Sequence, residues 1–423
     1  MVHPTPPART RADRMSGAQI TAVSICLLIA ILDGLDAQLI AYAAPSIVKE
    51  FGFGPASFGV VFSSSLLGMA IGSVIFGMLA DYVGRKRIMI IATLIFAVTT
   101  LLIPVYADSI ASFVAIRFVA GIGLGGVTPS LIAMIAENTP SRVRSMSVTI
   151  AVGCLSLGAF VGGLIARWLI PAEGWRSVFV LGGAIPLVLA VVMIVGLRRL
   201  DERASLEEPE PEQSSSPVEL FRSGRAASTI VIWIVFFANL LLMYALLNWL
   251  PTLFVKAGYS SATATIGGSL FALGGFAGGV VIGVIMDRIA RTHAILVAGY
   301  SIGLVGIAMV ALADSTGVLM TGIVLAGIGV IGGQTGISAL AVALYPANIR
   351  GAGVGWAYAV GRVGSIAGPT ISGFLVASGL QPNAIIGAGA IPAVVAGAGV
   401  ATLAALAVRR VRQRGTVASQ ATA

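Results

Sequence analysis

Four charged residues stand deep inside otherwise apolar stretches of this sequence: Asp33, Asp36, Arg117 and Arg362. A charge near the middle of a bilayer costs roughly 2.5–3.5 kcal/mol on insertion scales, so such residues are retained mainly where they act. Asp33 and Asp36 are three residues apart and fall on one face of a helix. Two acids on one buried face point to a water-filled cavity, and a carboxyl there can take up and release a proton. Arg117 is expected to pair with Asp33 or with Asp36, so that protonation of the acid breaks the pair and favours a rearrangement. Arg362 has no acid at comparable depth in its half of the chain. It is the candidate to hold a carboxylate substrate bidentately, against the plainer alternative of a backbone contact or a snorkelling side chain.

A pocket for a small molecule also needs a few polar groups and flat apolar surfaces. Asn239, Tyr244, Asn248 and Trp249 lie on one predicted helix, and Gln334 and Tyr358 lie on two others. Tyr358 is one helical turn from Arg362. Trp249, close to Pro251, suits a membrane-interface anchor equally well. The two cysteines, Cys26 and Cys154, sit alone in apolar runs and are read as buried thiols. With histidines only at 3 and 293, no metal site and no cofactor are expected, and no nucleophile–histidine pair supports an enzyme.

The elements that position these residues follow from composition. Of the 423 residues 57% are hydrophobic and only 10% charged, too few charges to cover a soluble surface. The 53 glycines suit close packing between membrane helices. The apolar runs are continuous rather than alternating, which selects helices over a barrel. Twelve runs long enough to cross a bilayer are predicted near 20–43, 57–79, 88–106, 110–134, 146–170, 177–197, 229–253, 262–284, 294–312, 316–340, 351–377 and 384–408. The first carries Asp33 and Asp36 and is expected to be retained rather than cleaved as a signal peptide. The stretch 198–228, with the acidic and proline-rich Glu207–Glu212 followed by serines, reads as a solvated linker. It divides the chain into a tail at 1–19, a six-helix unit at 20–197, a second unit at 229–408 and a tail at 409–423.

Lysine and arginine gather before the first helix, in the linker, in the loops that follow even-numbered helices, and in the last residues. Only Lys49, Arg167, Arg176 and Lys256 fall on the opposite side. Both termini and the linker are therefore expected in the cytoplasm. The net charge of +9 is a topology signal and not a nucleic-acid footprint.

The two halves match at one ungapped offset of 206 residues. Pro45 meets Pro251, Gly77 meets Gly283, and Asp81 meets Asp287. Arg85 meets Arg291, Arg144 meets Arg350, and Ala120–Gly123 matches Ala326–Gly329. Internal duplication of a six-helix unit is a transporter signature, with the site at the interface of the halves. At this offset Asp33 faces Asn239, Arg117 faces Ile323 and Arg362 faces Ser156. The departures from symmetry suggest proton handling in the first half and anion binding in the second.

The loop Gly77-Met78-Leu79-Ala80-Asp81-Tyr82-Val83-Gly84-Arg85-Lys86-Arg87 resembles the signature of the major facilitator superfamily, with a weaker copy from Gly283 to Arg291. Gly77 would admit a neighbouring helix, Asp81 would offer a carboxylate at a helix end, and the basic residues would hold the loop in the cytoplasm. Arg117–Gly126 is similar to that family's fourth-helix motif. Glu137–Arg144 and Tyr345–Gly351, the latter containing Arg350, resemble its following loops. The resemblance implies an all-α membrane protein of twelve transmembrane helices in two pseudo-symmetric six-helix bundles. It also implies a conformational gate made of Gly77, Asp81, Gly84, Arg85, Glu137, Arg144, Asp287, Arg291 and Arg350.

Within that superfamily, Asp33-Gly34-Leu35-Asp36 looks like the aromatic acid:proton symporters. What this implies is proton-coupled uptake of a benzoate-like acid across a bacterial inner membrane, with one chain sufficing and with protons, a small organic anion and lipid as partners. Uptake of a sugar, a nicotinate-like acid or another organic acid is the alternative. Drug efflux is disfavoured by Ala159 after Gly158, where antiporters of the superfamily carry proline.

Overall fold

The structure, a computed structural model, describes residues 15–197, 217–222, 224–289 and 291–421. The side chains at 81, 141, 142, 145, 217, 347 and 410–421 lie outside the described set. Residues 1–14 of the expected tail at 1–19, the acidic run at 207–212 and the side chain of Asp81 therefore fall beyond it. The described chain is helical throughout, with twelve helices or helix pairs long and apolar enough to cross a membrane.

In chain order these are α1 (Gly17–Phe51), α2 (Pro55–Val83), α3 (Arg85–Tyr106), α4 (Ile110–Asn138), α5 (Ser141–Glu173) and α6 (Arg176–Gly196). Then come α7 (Ala226–Lys256), α8 (Ser261–Arg288), α9 (Thr292–Ala311), α10 (Thr316–Leu344), α11 (Arg350–Ala377), α12 (Pro382–Ala388) and α13 (Ala390–Ala421). Hydropathy locates only the part of each helix that sits in hydrocarbon; the helices themselves run further, to their caps. Helix α1 starts at a capping box formed by Ser16 and Gln19 and stops at Gly52, whose φ of +67° suits glycine. The run expected at 384–408 is two helices with a break at Gly389, and the second continues through the expected tail as far as Ala421. Near the end of the expected linker, a 3-10 turn at Pro217–Phe221 buries Leu220 against Tyr345 and Ile349.

Helix contacts follow the internal repeat. In the first half α2 packs on α4, α1 on α5 and α3 on α4; in the second, α8 packs on α10, α7 on α11 and α9 on α10. With an even number of crossings, the start of α1, the end of α13 and the α6–α7 connection share one side, here called the linker side. The halves meet through α2 with α11, α5 with α8, and α1 with α7. Many of these contacts lie toward the far side. Ser63 bonds Thr370 at 2.7 Å and Gln38 donates to the Leu247 carbonyl at 3.0 Å. The backbones of Gly59 and Gly373, and those of Pro55 and Gly373, come together, and Gly59 also meets Pro369. Gly163 meets Ser269, and Tyr42 packs on Gly268. The deepest, Gly153 against Phe276, is at mid-depth. The far side is sealed.

On the linker side the two copies of the loop motif tell the complementary story. A Cβ added at Gly77 or at Gly283 would meet no atom within 4 Å. The close helix approach expected at Gly77 is thus not made in this structure.

Candidate functional site

The site begins at the crossing of α1 and α5. A Cβ on Gly34 would lie 1.9 Å from the Leu155 carbonyl oxygen, and one on Gly158 would lie 1.9 Å from the Ile31 carbonyl oxygen. Two backbones can approach this closely only where both lack side chains. Gly34 sits between the two acids, so this crossing sets the rotation of α1 and sends Asp33 and Asp36 to different surroundings.

Asp36 is fully buried and fully engaged. It accepts from Thr100 Oγ1 of α3 at 2.7 Å and from Arg117 Nη1 of α4 at 3.3 Å. Arg117, also completely buried, donates through Nη2 to Ser65 Oγ of α2 at 3.3 Å. Of the two partners left open for Arg117 by sequence, the structure selects Asp36. One ion pair ties four helices of the first half together, and its Nε is left without a partner.

Asp33 is differently placed. Its Oδ2 accepts from Thr128 Oγ1 at 2.8 Å, while Oδ1 is buried with no partner. It faces a cavity of about 130 Å³ between the halves, of the order that encloses a single benzene-sized ring. The first half contributes Asp33, Gln38, Ser65, Arg117 and Ser156 as polar lining, and the second contributes Tyr244 and Asn248. Phe62, Leu66, Met69, Leu155, Met243 and Ile331 make most of the apolar wall. Arg362 is half-buried on α11 and does not line this cavity.

The other residues singled out from sequence separate into three groups. Asn239 Nδ2 donates to Gln334 Oε1 at 2.8 Å, Gln334 Nε2 to Ser338 Oγ at 3.4 Å, and Ser338 Oγ bonds Tyr358 at 2.7 Å. This polar chain lies within the second half, away from the cavity lining. Trp249 is 1% exposed, so it is no interface anchor. Its Nε1 donates to the Pro369 carbonyl at 2.9 Å and its ring meets Phe62 edge-on. At the linker side Arg85 pairs with Glu137, Gly84 has a φ of +96°, and Arg350 donates to the Tyr345 carbonyl at 3.5 Å. Arg144, Asp287 and Arg291 are exposed there.

Gln38, Phe62, Ser65, Thr100 and Thr128 are among the residues of the site that type and spacing do not single out. For Thr128 a signal existed. It stands 206 residues before Gln334, so the Asp33–Thr128 bond and the Asn239–Gln334 bond are the same contact in the two halves.

Comparison with known proteins places this geometry in a family. The model described as Major Facilitator Superfamily matches residues 26–369 and, in an overlapping match, 258–422. The chain is 33% identical over 421 residues to the 4-hydroxybenzoate transporter PcaK of Pseudomonas aeruginosa, covering 92% of this chain and 93% of that protein. It is 32% identical over 383 residues to the gallate transporter of Pseudomonas putida, covering 84% and 85%. Its fold is shared with a bacterial homolog of the human lysosomal transporter Spinster, at a TM-score of 0.71 and 18% identity over 93% of this chain and 96% of that one.

Proposed function

The chain belongs to the major facilitator superfamily, and on that footing we propose that it takes up an aromatic carboxylic acid together with protons by alternating access. The observation that carries this reading is the cavity between the halves, single-ring in size, mostly apolar, and lined by a carboxyl with an unpartnered oxygen. The ring of the substrate occupies the apolar wall formed by Phe62, Leu66 and Met243. Its polar substituents reach Asn248, Tyr244 and Gln38, and its carboxylate is drawn by Arg362, which among the described residues has no ion-pair partner.

Asp33 takes the coupled proton. Its Oδ1 is unpartnered and the residue borders the cavity, whereas both oxygens of Asp36 are already bonded. While Asp33 is charged, its attraction to Arg362 holds α1 of one half toward α11 of the other. A proton on Asp33 ends that attraction but leaves Arg362 an uncompensated charge until the substrate carboxylate arrives, so the halves are released to rock only when both are bound. Asp36 and Arg117 act as the fixed part of the same device, holding α1 to α2, α3 and α4 so that the first half moves as one body.

The excess of basic residues on the linker side puts that side in the cytoplasm of the inner membrane. The sealed far side then faces outward, and the structure is an inward-facing state. Gly77, Asp81 and Gly84 with Arg85, Glu137 and Arg144, and Asp287, Arg291 and Arg350 in the second half, form the gate that closes the cytoplasmic side in the opposite state. A single chain contains the whole site. The test is uptake of labelled 4-hydroxybenzoate into proteoliposomes under an imposed acid-outside gradient. Concentrative uptake competed by benzoate supports the reading. Uptake of neither, with accumulation of a sugar or an aliphatic acid instead, overturns it.

A further inference from the structure

Phe62 is the point at which the cavity wall becomes the far-side seal. Its ring lines the cavity, and it stands edge-on to the Trp249 indole at a centroid distance of 5.5 Å and an interplanar angle of 81°. The two residues come from different halves, Phe62 from α2 and Trp249 from α7. Trp249 is held in turn by its bond to the Pro369 carbonyl, on the segment of α11 where Gly59 and Ser63 of α2 close the far side. A Cβ on Gly59 would lie 2.9 Å from that same Pro369 oxygen, and one on Gly373 would lie 3.2 Å from the Trp249 ring. One unbroken set of contacts therefore runs from the cavity through Phe62 and Trp249 to a close backbone contact between the halves.

The arrangement has no copy in the repeat. At offset 206 Phe62 corresponds to Gly268 and Trp249 to Ala43. The space that a side chain on Gly268 would take is filled by the Tyr42 ring, whose hydroxyl is tied to the Ala159 carbonyl at 2.8 Å. The cavity is thus given an aromatic wall from α2 on one side only. Aromatic pairs prefer offset or edge-to-face geometry, and such a pair contributes beyond the area it buries. Phe62 is held by T-shaped contacts with both Phe58 and Trp249, and a flat ring in the cavity packs against it more closely than a puckered saturated ring does.

We propose that Phe62 is a specificity-determining residue that selects a flat ring over a saturated one, and that Trp249 is a positioning residue that links ring binding to the far-side seal. The proposal rests on the reading of the substrate as an aromatic acid. It assigns separate consequences to the two residues. Loss of the Phe62 ring alters the choice between substrates. Loss of the Trp249 N–H alters the rate of turnover and leaves that choice intact.

The experiment measures inhibition of labelled 4-hydroxybenzoate uptake by benzoate and by cyclohexanecarboxylate, in wild type, Phe62→Leu and Trp249→Phe. Phe62→Met gives the same comparison should the leucine variant not fold, and Phe62→Tyr serves as the variant that keeps the ring. The expected result is a wild-type preference for benzoate that falls about 3- to 10-fold in Phe62→Leu and is restored in Phe62→Tyr. In Trp249→Phe the preference is kept, with KM within about twofold and kcat reduced several-fold. An unchanged preference in an active Phe62→Leu or Phe62→Met protein overturns the assignment of Phe62 while leaving the uptake reading intact. Wild type that prefers neither acid overturns both. A Trp249→Phe variant with unaltered kcat overturns the link to the seal.

Discussion

Arg117 and Asp36 form an ion pair at 3.3 Å in which both side chains are wholly buried, one helical turn from an acid that has no such partner. The two carboxyls of one short motif are thereby given different work. Asp36 is part of the frame of the first half, and Asp33 is part of its cavity.

Breaking the buried pair leaves a charge with nothing to balance it. Asp36→Asn and Arg117→Gln are each expected to lower stability by about 3–5 kcal/mol, read as a large drop in the melting temperature of the purified protein. The double variant recovers much of that loss, because it leaves no orphan charge, yet transports poorly. Equal destabilisation by the double and single variants would contradict a pairwise role.

The glycine between the acids is there for packing. Gly34→Ala drives a methyl group into the Leu155 carbonyl and is expected to cost upwards of about 3 kcal/mol, seen as loss of monodisperse folded protein. Gly77→Ala meets open space in this state. It is expected to fold normally and to slow turnover, since the linker side must close around that position in the opposite state. A fast Gly77→Ala variant would argue against closure there.

The far-side seal can be trapped. Ser63 and Thr370 touch through their hydroxyls across the two halves, so a Ser63→Cys, Thr370→Cys double variant is expected to crosslink under mild oxidant. Uptake stops when the bond forms and resumes on reduction. The native Cys26 and Cys154 are buried and should not interfere. Efficient uptake by the fully crosslinked protein would show that the seal need not open.

Arg362 is half-buried, and its removal should spare the fold. Arg362→Ala is expected to raise KM for carboxylate substrates by at least about tenfold, the loss of one charge-assisted contact, with melting temperature close to that of wild type. Unchanged KM in this variant would move the carboxylate to another residue.

Much of this organisation was legible in the sequence, for physical reasons. Charge is rare in hydrocarbon, so Asp33, Asp36, Arg117 and Arg362 stood out at once, and the repeat exposed their asymmetry. The partners of those charges were not legible. Thr100, Thr128 and Ser65 are hydroxyls, and a hydroxyl in a membrane helix usually bonds its own backbone, as Thr93 and Ser130 do here. Nothing local separates the two kinds. Trp249 was placed equally between a pocket and an interface because an indole suits both; its burial against Phe62 depends on how the halves meet. Helix ends were shortened for a third reason: hydropathy falls off in the interface while the helical hydrogen bonds continue to the cap.

The central claim is that the proton is carried by the carboxyl that faces the cavity, and Asp33→Asn tests it most directly. Proteoliposomes containing wild type or Asp33→Asn are loaded with unlabelled 4-hydroxybenzoate, and exchange with labelled external substrate is measured beside accumulation under an acid-outside gradient. The account predicts that Asp33→Asn keeps exchange, since the amide can still accept from Thr128 and the cavity is unchanged, and loses accumulation above equilibrium. Gradient-driven accumulation by Asp33→Asn at the wild-type level would contradict it.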